Sequence, residues 1–456
     1  AAAFLTLAVG FLWTSRPGDS GDGVPTAYAF ARVGPIGSAA WDSPYAGKWW
    51  FAGDRLCWLT APDTGDGQTA YARVTAHVLD LTTAEETSDA GLTRLLRDAG
   101  YPGVDGPSDM REGALLATAF LPDGRVLLSL VARHVEVEEA GADSNVTSWD
   151  KSRLYLAAPP YEKLVPVGPL STWSVQSGTG GGGGGRGLPA ASSEAAAWGQ
   201  TGPAGRPRPR AFAEIRSEVN SSASGFWACD LATGRTARLG SEGDRFYRGS
   251  HLVRPLPTAL GSWVVWAIED ANGELLELTD AELVSPWPPA PTKVRMFGYN
   301  VRTTERLELP VGVSDAAAGD VLVGFKPSQV RFFDAAERRL WTVPPAEEGN
   351  RIYAVAAEGR LAAWIEWRTG DTRKLLVRCT DLRTHAVRTL GEVVPPPGLG
   401  AGQAHCGISV SDDQVYWAVE GHESGPGDST YLTVYGAETW SEDGELQSRL
   451  LPPADR

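Results

Sequence analysis

A short unit recurs along the sequence: a turn residue, an apolar pair, a Trp and a further apolar residue. It stands at Asp54-Arg55-Leu56-Cys57-Trp58-Leu59, at Ser262-Trp263-Val264-Val265-Trp266-Ala267, at Arg360-Leu361-Ala362-Ala363-Trp364-Ile365 and at Asp413-Gln414-Val415-Tyr416-Trp417-Ala418. Weaker copies, within 125–130 and 320–325, put Ser129 or Gly324 where the Trp stands. Runs this uniformly apolar fit strands covered on both faces by neighbouring sheets. A second unit accompanies the first. An Asp or Asn opens a turn and a Leu or Val stands nine residues later, as in Asp230 and Leu239, Asn300 and Leu309, Asp334 and Val343, and Asp381 and Leu390. Asp80-Leu81-Thr82-Thr83 is a partial copy. An Asp or Asn side chain that bonds the backbone two residues on holds a tight turn, so this unit predicts a hairpin.

Strand repeats of this kind predict a closed array. Pairing the two units gives an all-β chain, a β-propeller with blades near 48–88, 113–168, 208–240, 258–310, 316–345, 350–391 and 405–452. The count is seven, with six or eight open, and the third blade rests on its hairpin half. At 456 residues a prior of about 100–200 residues per domain suggests several domains. A propeller escapes that prior as one closed unit, so 26–456 is predicted as a single domain with loop insertions. Trp58, Trp266, Trp364 and Trp417 share one repeat position and are expected buried between blades. Trp49, Trp50, Trp198 and Trp287 fall outside that register and are expected exposed.

Two insertions stand out. Residues 84–112 carry Leu92, Leu95 and Leu96 at the spacing of one helix face. Residues 168–210 hold the run Gly180 to Gly185 among Ala, Ser and Pro, too little apolar surface to offset ordering entropy, so a disordered loop is expected. Ring closure is expected from the N-terminal side, with Thr26–Val33 pairing with the seventh blade. Trp49–Ala52 is read as an inner strand of the first blade, and Leu446–Leu451 as a weak outer strand of the seventh.

The chain begins with an apolar run, Ala1 to Trp13, too short for the roughly 20 residues that span a bilayer. It matches the apolar region of a secretory signal. Residues 1–25 are therefore predicted as an export or anchor segment with a flexible tether, and the protein as exported, periplasmic or at the cell surface, with a possible single N-terminal anchor. The net charge of −15 leaves no basic footprint for phosphates, so no nucleic-acid partner is expected. The basic run Arg206 to Arg210 reads as solvated linker. The four cysteines Cys57, Cys229, Cys379 and Cys406 form no CxxC pair and leave three pairings open. Cys57 falls in a core strand and reads as a small buried hydrophobe.

At Phe120-Leu121-Pro122-Asp123-Gly124-Arg125-Val126-Leu127-Leu128-Ser129 the sequence resembles the Pro-Asp-Gly turn repeat of TolB-like, WD-like propellers. Val264-Val265-Trp266 and the Asp-Leu-x-Thr-Gly of 230–234 resemble the same superfamily, over about residues 48–452. The resemblance implies the fold, and implies export and protein binding as functions common among such propellers.

Candidate chemistry is sparse. Gly18-Asp19-Ser20-Gly21 matches a serine-protease tetrapeptide but lies in the tether. The six histidines (His77, His134, His251, His385, His405 and His422) never stand at i, i+4, though three could converge at an axial channel. Asp270-Ala271-Asn272-Gly273-Glu274 and Asp63-Thr64-Gly65-Asp66-Gly67 alternate oxygen donors around a Gly, yet neither continues to a Glu at the twelfth position, so hairpin turns are expected. No catalytic, cofactor-binding or metal-binding residue is assigned, and no cofactor. The expectation is a non-catalytic extracytoplasmic module that binds a protein or cell-envelope component. The alternative is a carbohydrate-active enzyme, a lyase or glycoside hydrolase, which needs paired carboxylates or a His cluster in the central channel.

Overall fold

The computed structural model describes residues 27, 29–36, 49–60, 74–100, 113–121, 123–140, 143–171, 190–200, 225–240, 244, 246–247, 257–275, 292–368, 374–393, 406–411, 413–423, 429–440 and 446–451. They form seven antiparallel sheets in a ring, a seven-bladed β-propeller. Strand β1 (Ala31–Ile36) belongs to the last blade. Blade one is β2 (Trp49–Ala52), β3 (Arg55–Thr60), β4 (Thr75–Asp80) and β5 (Glu86–Ser88), followed by helix α1 (Ala90–Gly100). Blade two is β6 (Gly113–Phe120), β7 (Val126–Ala140), β8 (Asp143–Ala157) and β9 (Leu164–Ser171). Blade three is β10 (Ala190–Ala191), β11 (Ala195–Gln200), β12 (Gly225–Asp230) and β13 (Thr236–Leu239). Blade four has an innermost strand in two pieces, β14 (Phe246–Tyr247) and β15 (Thr258–Leu260), then β16 (Trp263–Leu275), β17 (Lys293–Asn300) and β18 (Arg306–Leu309). Blade five is β19 (Ala316–Ala318), β20 (Val321–Lys326), β21 (Gln329–Asp334) and β22 (Arg339–Val343). Blade six is β23 (Asn350–Glu358), β24 (Leu361–Arg368), β25 (Leu375–Asp381) and β26 (Val387–Val393). Blade seven is β27 (Cys406–Ser411), β28 (Gln414–Glu423), β29 (Ser429–Trp440) and β30 (Leu446–Leu450).

The recurrent Trp sits on the second strand of its blade, three residues after the residue that pairs with the turn Asp or its equivalent. Arg55 pairs with Asp80, Trp263 with Asn300, Leu361 with Asp381 and Gln414 with Glu438. Trp58, Trp266, Trp364 and Trp417 are all buried. Each packs against the preceding blade, and a stack across its own ladder is added: Trp58 on His77 with ring centroids 5.2 Å apart, Trp266 on Phe297 at 5.6 Å, Trp417 on Tyr435 at 5.8 Å, and the Arg378 guanidinium over Trp364 at 5.3 Å. Such pairs add to plain area burial. Blade five carries Gly324 here because a Cβ would collide with the Gly312 carbonyl and the Asp315 carboxylate. Its space is taken by the 311–313 segment, with Val311 and Val313 buried.

Three expectations are corrected. Trp198 belongs to the register after all: Ala195 pairs with Asp230, which puts Trp198 three residues on, opposite Trp227. The third blade starts at residue 190 rather than 208, because 190–191 and 195–200, expected in a disordered loop, are its two inner strands. Ala195, Ala196 and Ala197 have no exposed surface. A small-residue strand between tightly packed sheets has the composition of a loop, which is why the pattern concealed it. Residues 172–189, with the glycine run, lie outside the described residues. Trp49 and Trp50, expected exposed, are half-buried, and Trp50 stacks on Phe120 of the next blade. Trp287 lies outside the described residues.

The helix forms where the Leu spacing places it. Asp89 caps it, its Oδ1 accepting from the Leu92 amide at 2.8 Å. Leu92, Leu95 and Leu96 are buried in a cluster shared by blades one and two.

The ring closes in blade seven. Ala31, Arg32 and Val33 pair with Val434, Thr433 and Leu432 of β29, and β30 pairs with the other half of the same edge, Leu450 facing Ala437 and Leu446 facing Trp440. The fourth strand is thus made of two pieces, β30 and β1, laid end to end in one direction. The Leu451 amide donates to Gly436 O at 2.9 Å and the Phe30 amide to Val434 O at 2.7 Å, so the two pieces meet in mid-strand. The closing pairing runs over 31–36, a few residues beyond the expected Thr26–Val33, and the Ala27 amide bonds Glu392 O of blade six. Val33 and Ile36 are buried, and the Arg32 guanidinium lies 3.7 Å from the Tyr431 ring centroid.

Candidate binding face

In a four-stranded meander the connections between strands one and two, and three and four, leave from one face of the ring. The others leave from the opposite face. Here the two faces differ. On the first, the turn face, connections are short: 53–54, 192–194, 261–262, 319–320 and 359–360 between first and second strands, and 81–85, 231–235, 301–305, 335–338 and 382–386 between third and fourth. The second, the loop face, carries the strand ends that 37–48, 61–74, 172–189, 201–224, 276–292 and 394–405 join, together with those of the segment that holds α1. The exception among long insertions is 248–257, which interrupts the innermost strand of blade four.

The turn face is built for rigidity. Asp80 Oδ1 accepts from the Thr82 and Thr83 amides, Asn300 Oδ1 from Arg302 and Thr303, and Asp381 Oδ1 from Arg383 at 2.8 Å. Four residues after each turn Asp or Asn the backbone is left-handed: φ is 56° at Ala84, 71° at Gly234, 65° at Thr304, 55° at Arg338 and 59° at His385. Four of these five residues are not Gly, a strained choice that the surrounding bonds must hold. The Gly234, Thr304 and His385 amides each donate back to the carbonyl of the turn Asp or Asn. Burial works against ionisation of Asp381, but the Arg360 guanidinium, the Arg383 amide and the Thr384 hydroxyl outweigh it and bring its carboxyl down to about 2. Neighbouring blades are tied here as well: Arg302 to Glu194 at 2.7 Å, Arg235 to the Val301 carbonyl, and Arg306 to Arg238 O at 2.8 Å.

Towards the loop face lies a buried ion pair. Glu366 has no exposed surface. Its Oε1 accepts from Trp364 Nε1 at 2.9 Å and Arg378 Nη1 at 2.8 Å, and its Oε2 from the Ala346 amide at 2.8 Å and Asn350 Nδ2 at 3.1 Å. Four donors occupy this carboxylate, which makes it a strut between blades five and six. Trp49 Nε1 similarly reaches Glu420 at 3.2 Å, across the junction of blades one and seven.

The axial wall offers little chemistry. The innermost strands β2, β6, β10, β14, β15, β19, β23 and β27 carry one carboxylate, Glu358, one Arg, Arg351, and no His. His77 lies on a third strand with Thr60 at 3.0 Å, its pKa lowered first by burial, and His385 lies at a turn stacked on Trp341. His134 and His422 fall on β7 and β28, while His251 and His405 are outside the described residues. Among the described residues no group of three or more His, Cys, Asp or Glu is placed to hold a metal. Residues 270–273, read as a hairpin turn, are instead a bulge in β16: Asp270 Oδ1 accepts from Asn272, and Lys293 Nζ takes the Ala271 carbonyl at 3.3 Å. Gly18–Gly21, Asp63–Gly67 and Arg206–Arg210 lie outside the described residues. All four cysteines are free thiols, and burial pushes Cys57 and Cys379 up to about 12.

No known family and no curated protein matches the chain. Solved structures do. One of two prolyl endopeptidases matches with a TM-score of 0.44 and 12% identity, over 90% of this chain and 50% of that one. The β-propeller domain of the Trilobed protease from Pyrococcus furiosus, which has an open velcro topology, matches with a TM-score of 0.40 and 7% identity, over 90% and 99%. TolB from Acinetobacter baumannii matches with a TM-score of 0.28 and 12% identity, over 88% and 80%. This chain therefore spans half the length of the endopeptidase. The likeness is one of fold alone, that of a β-propeller.

Proposed function

We propose that the protein is an exported, non-catalytic propeller that binds a protein or cell-envelope partner on its loop face. The observation that carries this reading is the segregation of the long connections to one face, while the other is locked by short turns and inter-blade bonds. Binding residues concentrate on loops that a rigid scaffold positions. Export rests on the apolar run at 1–13. Among the described residues no helix is long and apolar enough to cross a membrane. Among the described residues Glu358 is the one carboxylate on the innermost strands, where a channel glycosidase needs a pair. The test is site-specific photo-crosslinking in the native envelope, with the probe at Ser328 or Glu348 on the loop face and at Thr304 or Glu337 on the turn face. A discrete adduct from the loop face alone is expected. Adducts from the turn face, or none from either loop-face position, would overturn the reading.

A further inference from the structure

Blade two does not end where its sheet ends. Strand β6 covers β7 only as far as Ala132, opposite Gly113, and β9 covers β8 only as far as Ser152, opposite Ser171. Beyond them β7 and β8 continue as a bare ribbon, from Arg133 facing Asp150 to Ala140 facing Asp143. At about 3.3 Å per residue this overhang reaches some 25 Å from the loop face. A two-stranded ribbon is marginal alone, and its edges present open backbone donors and acceptors to any passing strand. Among the described residues nothing pairs with either edge.

The sequence of the overhang says what fits. Between 133 and 150 stand five carboxylates, Glu136, Glu138, Glu139, Asp143 and Asp150, against one Arg, Arg133. Strand parity puts Glu136, Glu138 and Asp143 at positions of one face, together with Trp149, and Val135, Val137 and Val146 at positions of the other, with the Arg133 and Asp150 pair at that face's base and Glu139 near its tip. A strand added alongside must follow the same alternation. A second copy of the acidic arm would set like charges side by side, which is unfavourable.

We propose that the edge of β7 over residues 133–140, which no described strand pairs with, is a docking edge for an extended segment of a partner in which basic and apolar residues alternate. The segment would add a strand in line with β6, on the axial side of the ribbon. Main-chain bonds would supply attachment, and the alternation would supply selectivity. This names the partner chemistry for the loop face and rests on that reading.

The experiment uses the full chain and hydrogen exchange read by mass spectrometry. The probes are a peptide of alternating Lys and Val, a block peptide of the same composition, and an alternating Glu and Val peptide. Only the alternating basic peptide is expected to slow exchange over 133–140, by about tenfold at low salt, with the effect fading as salt screens the charges. The variant Glu136→Lys/Glu138→Lys should keep the parent melting temperature and lose the protection. Equal protection by the block peptide, protection that survives in the variant, or protection that appears with protein concentration alone, as for a second copy, would overturn the proposal. So would an absence of protection. If the loop-face crosslinks at Ser328 and Glu348 persist in that case, the arm has failed and the binding face has not.

Discussion

Replacing Glu366 and Arg378 singly and together tests whether this pair, on neighbouring strands of blade six, is a unit. The Glu366 carboxylate is fully buried and holds four donors, and the Arg378 side chain is 14% exposed. Glu366→Leu leaves a buried guanidinium without its counter-charge, a loss of about 3–5 kcal/mol. Arg378→Met leaves the carboxylate with neutral donors only and is expected to cost a similar amount. If the two acted independently the double variant would lose about 6–10 kcal/mol. The structure predicts less. With both charges gone, the remaining penalty is the unpaired Trp364 and Asn350 donors, about 1–3 kcal/mol each, since the amide of exposed Ala346 can turn to water. The double variant should therefore lose about 2–6 kcal/mol, with a coupling of about 4 kcal/mol. Urea unfolding of the four proteins at pH 7, followed by circular dichroism, measures the cycle. Losses that simply add, or a Glu366→Leu variant within about 0.5 kcal/mol of the parent, would refute the argument.

A chain starting at residue 37 should melt below one starting at residue 27, because it lacks Val33 and Ile36, each worth about 2 kcal/mol of burial, and uncovers Leu432 and Val434. Equal melting temperatures would refute closure by β1. Deleting 190–200 should abolish folding, since it removes the inner strands of blade three, and a soluble, cooperatively melting product would refute that assignment. Asp381 has a folded pKa of about 2, below its ordinary 3.8, so its contribution of about 2 kcal/mol is present above pH 4 and lost as pH falls through 2. Asp381→Asn should accordingly lower stability at pH 5 and change it little at pH 2, and a uniform loss at both would contradict the linkage. Cys57 and Cys379, pushed up to about 12 by burial, should resist a thiol reagent at pH 8 in the folded protein and react once it is unfolded, as absorbance of the released chromophore will show.

The fold was legible because the repeat carries its own register. Trp58 and Asp80, Trp266 and Asn300, and Trp364 and Asp381 mark the same two positions in blades one, four and six, one set by packing between sheets and the other by turn geometry. Where a blade meets those demands differently, the pattern goes silent. Blade three builds β11 from alanines, so that Ala196-Ala197-Trp198 merges with the Ala- and Ser-rich sequence before it. Blade five fills its Trp site with backbone from the 4–5 connection, which Gly324 permits. The proposed binding face was harder to see. No residue type announces it, and it emerges from which ends of the strands the long connections join, a property of topology. The Glu366 pair was also invisible, because a Glu inside a Trp-rich strand reads as an outward residue until Arg378 appears across the ladder.

The two-piece strand of blade seven makes the backbone, in effect, a circle with one nick. The cut lies on the flank of the ring, between Phe30 and Leu451, and away from the loop face. Such a circle has no preferred origin. Splicing 451 to 30 through a short bridge and reopening the chain at a turn such as 319–320 would keep each ladder partner in place. The same adjacency makes the propeller a cassette: a host chain could enter and leave it through neighbouring points on one flank, leaving the loop face free.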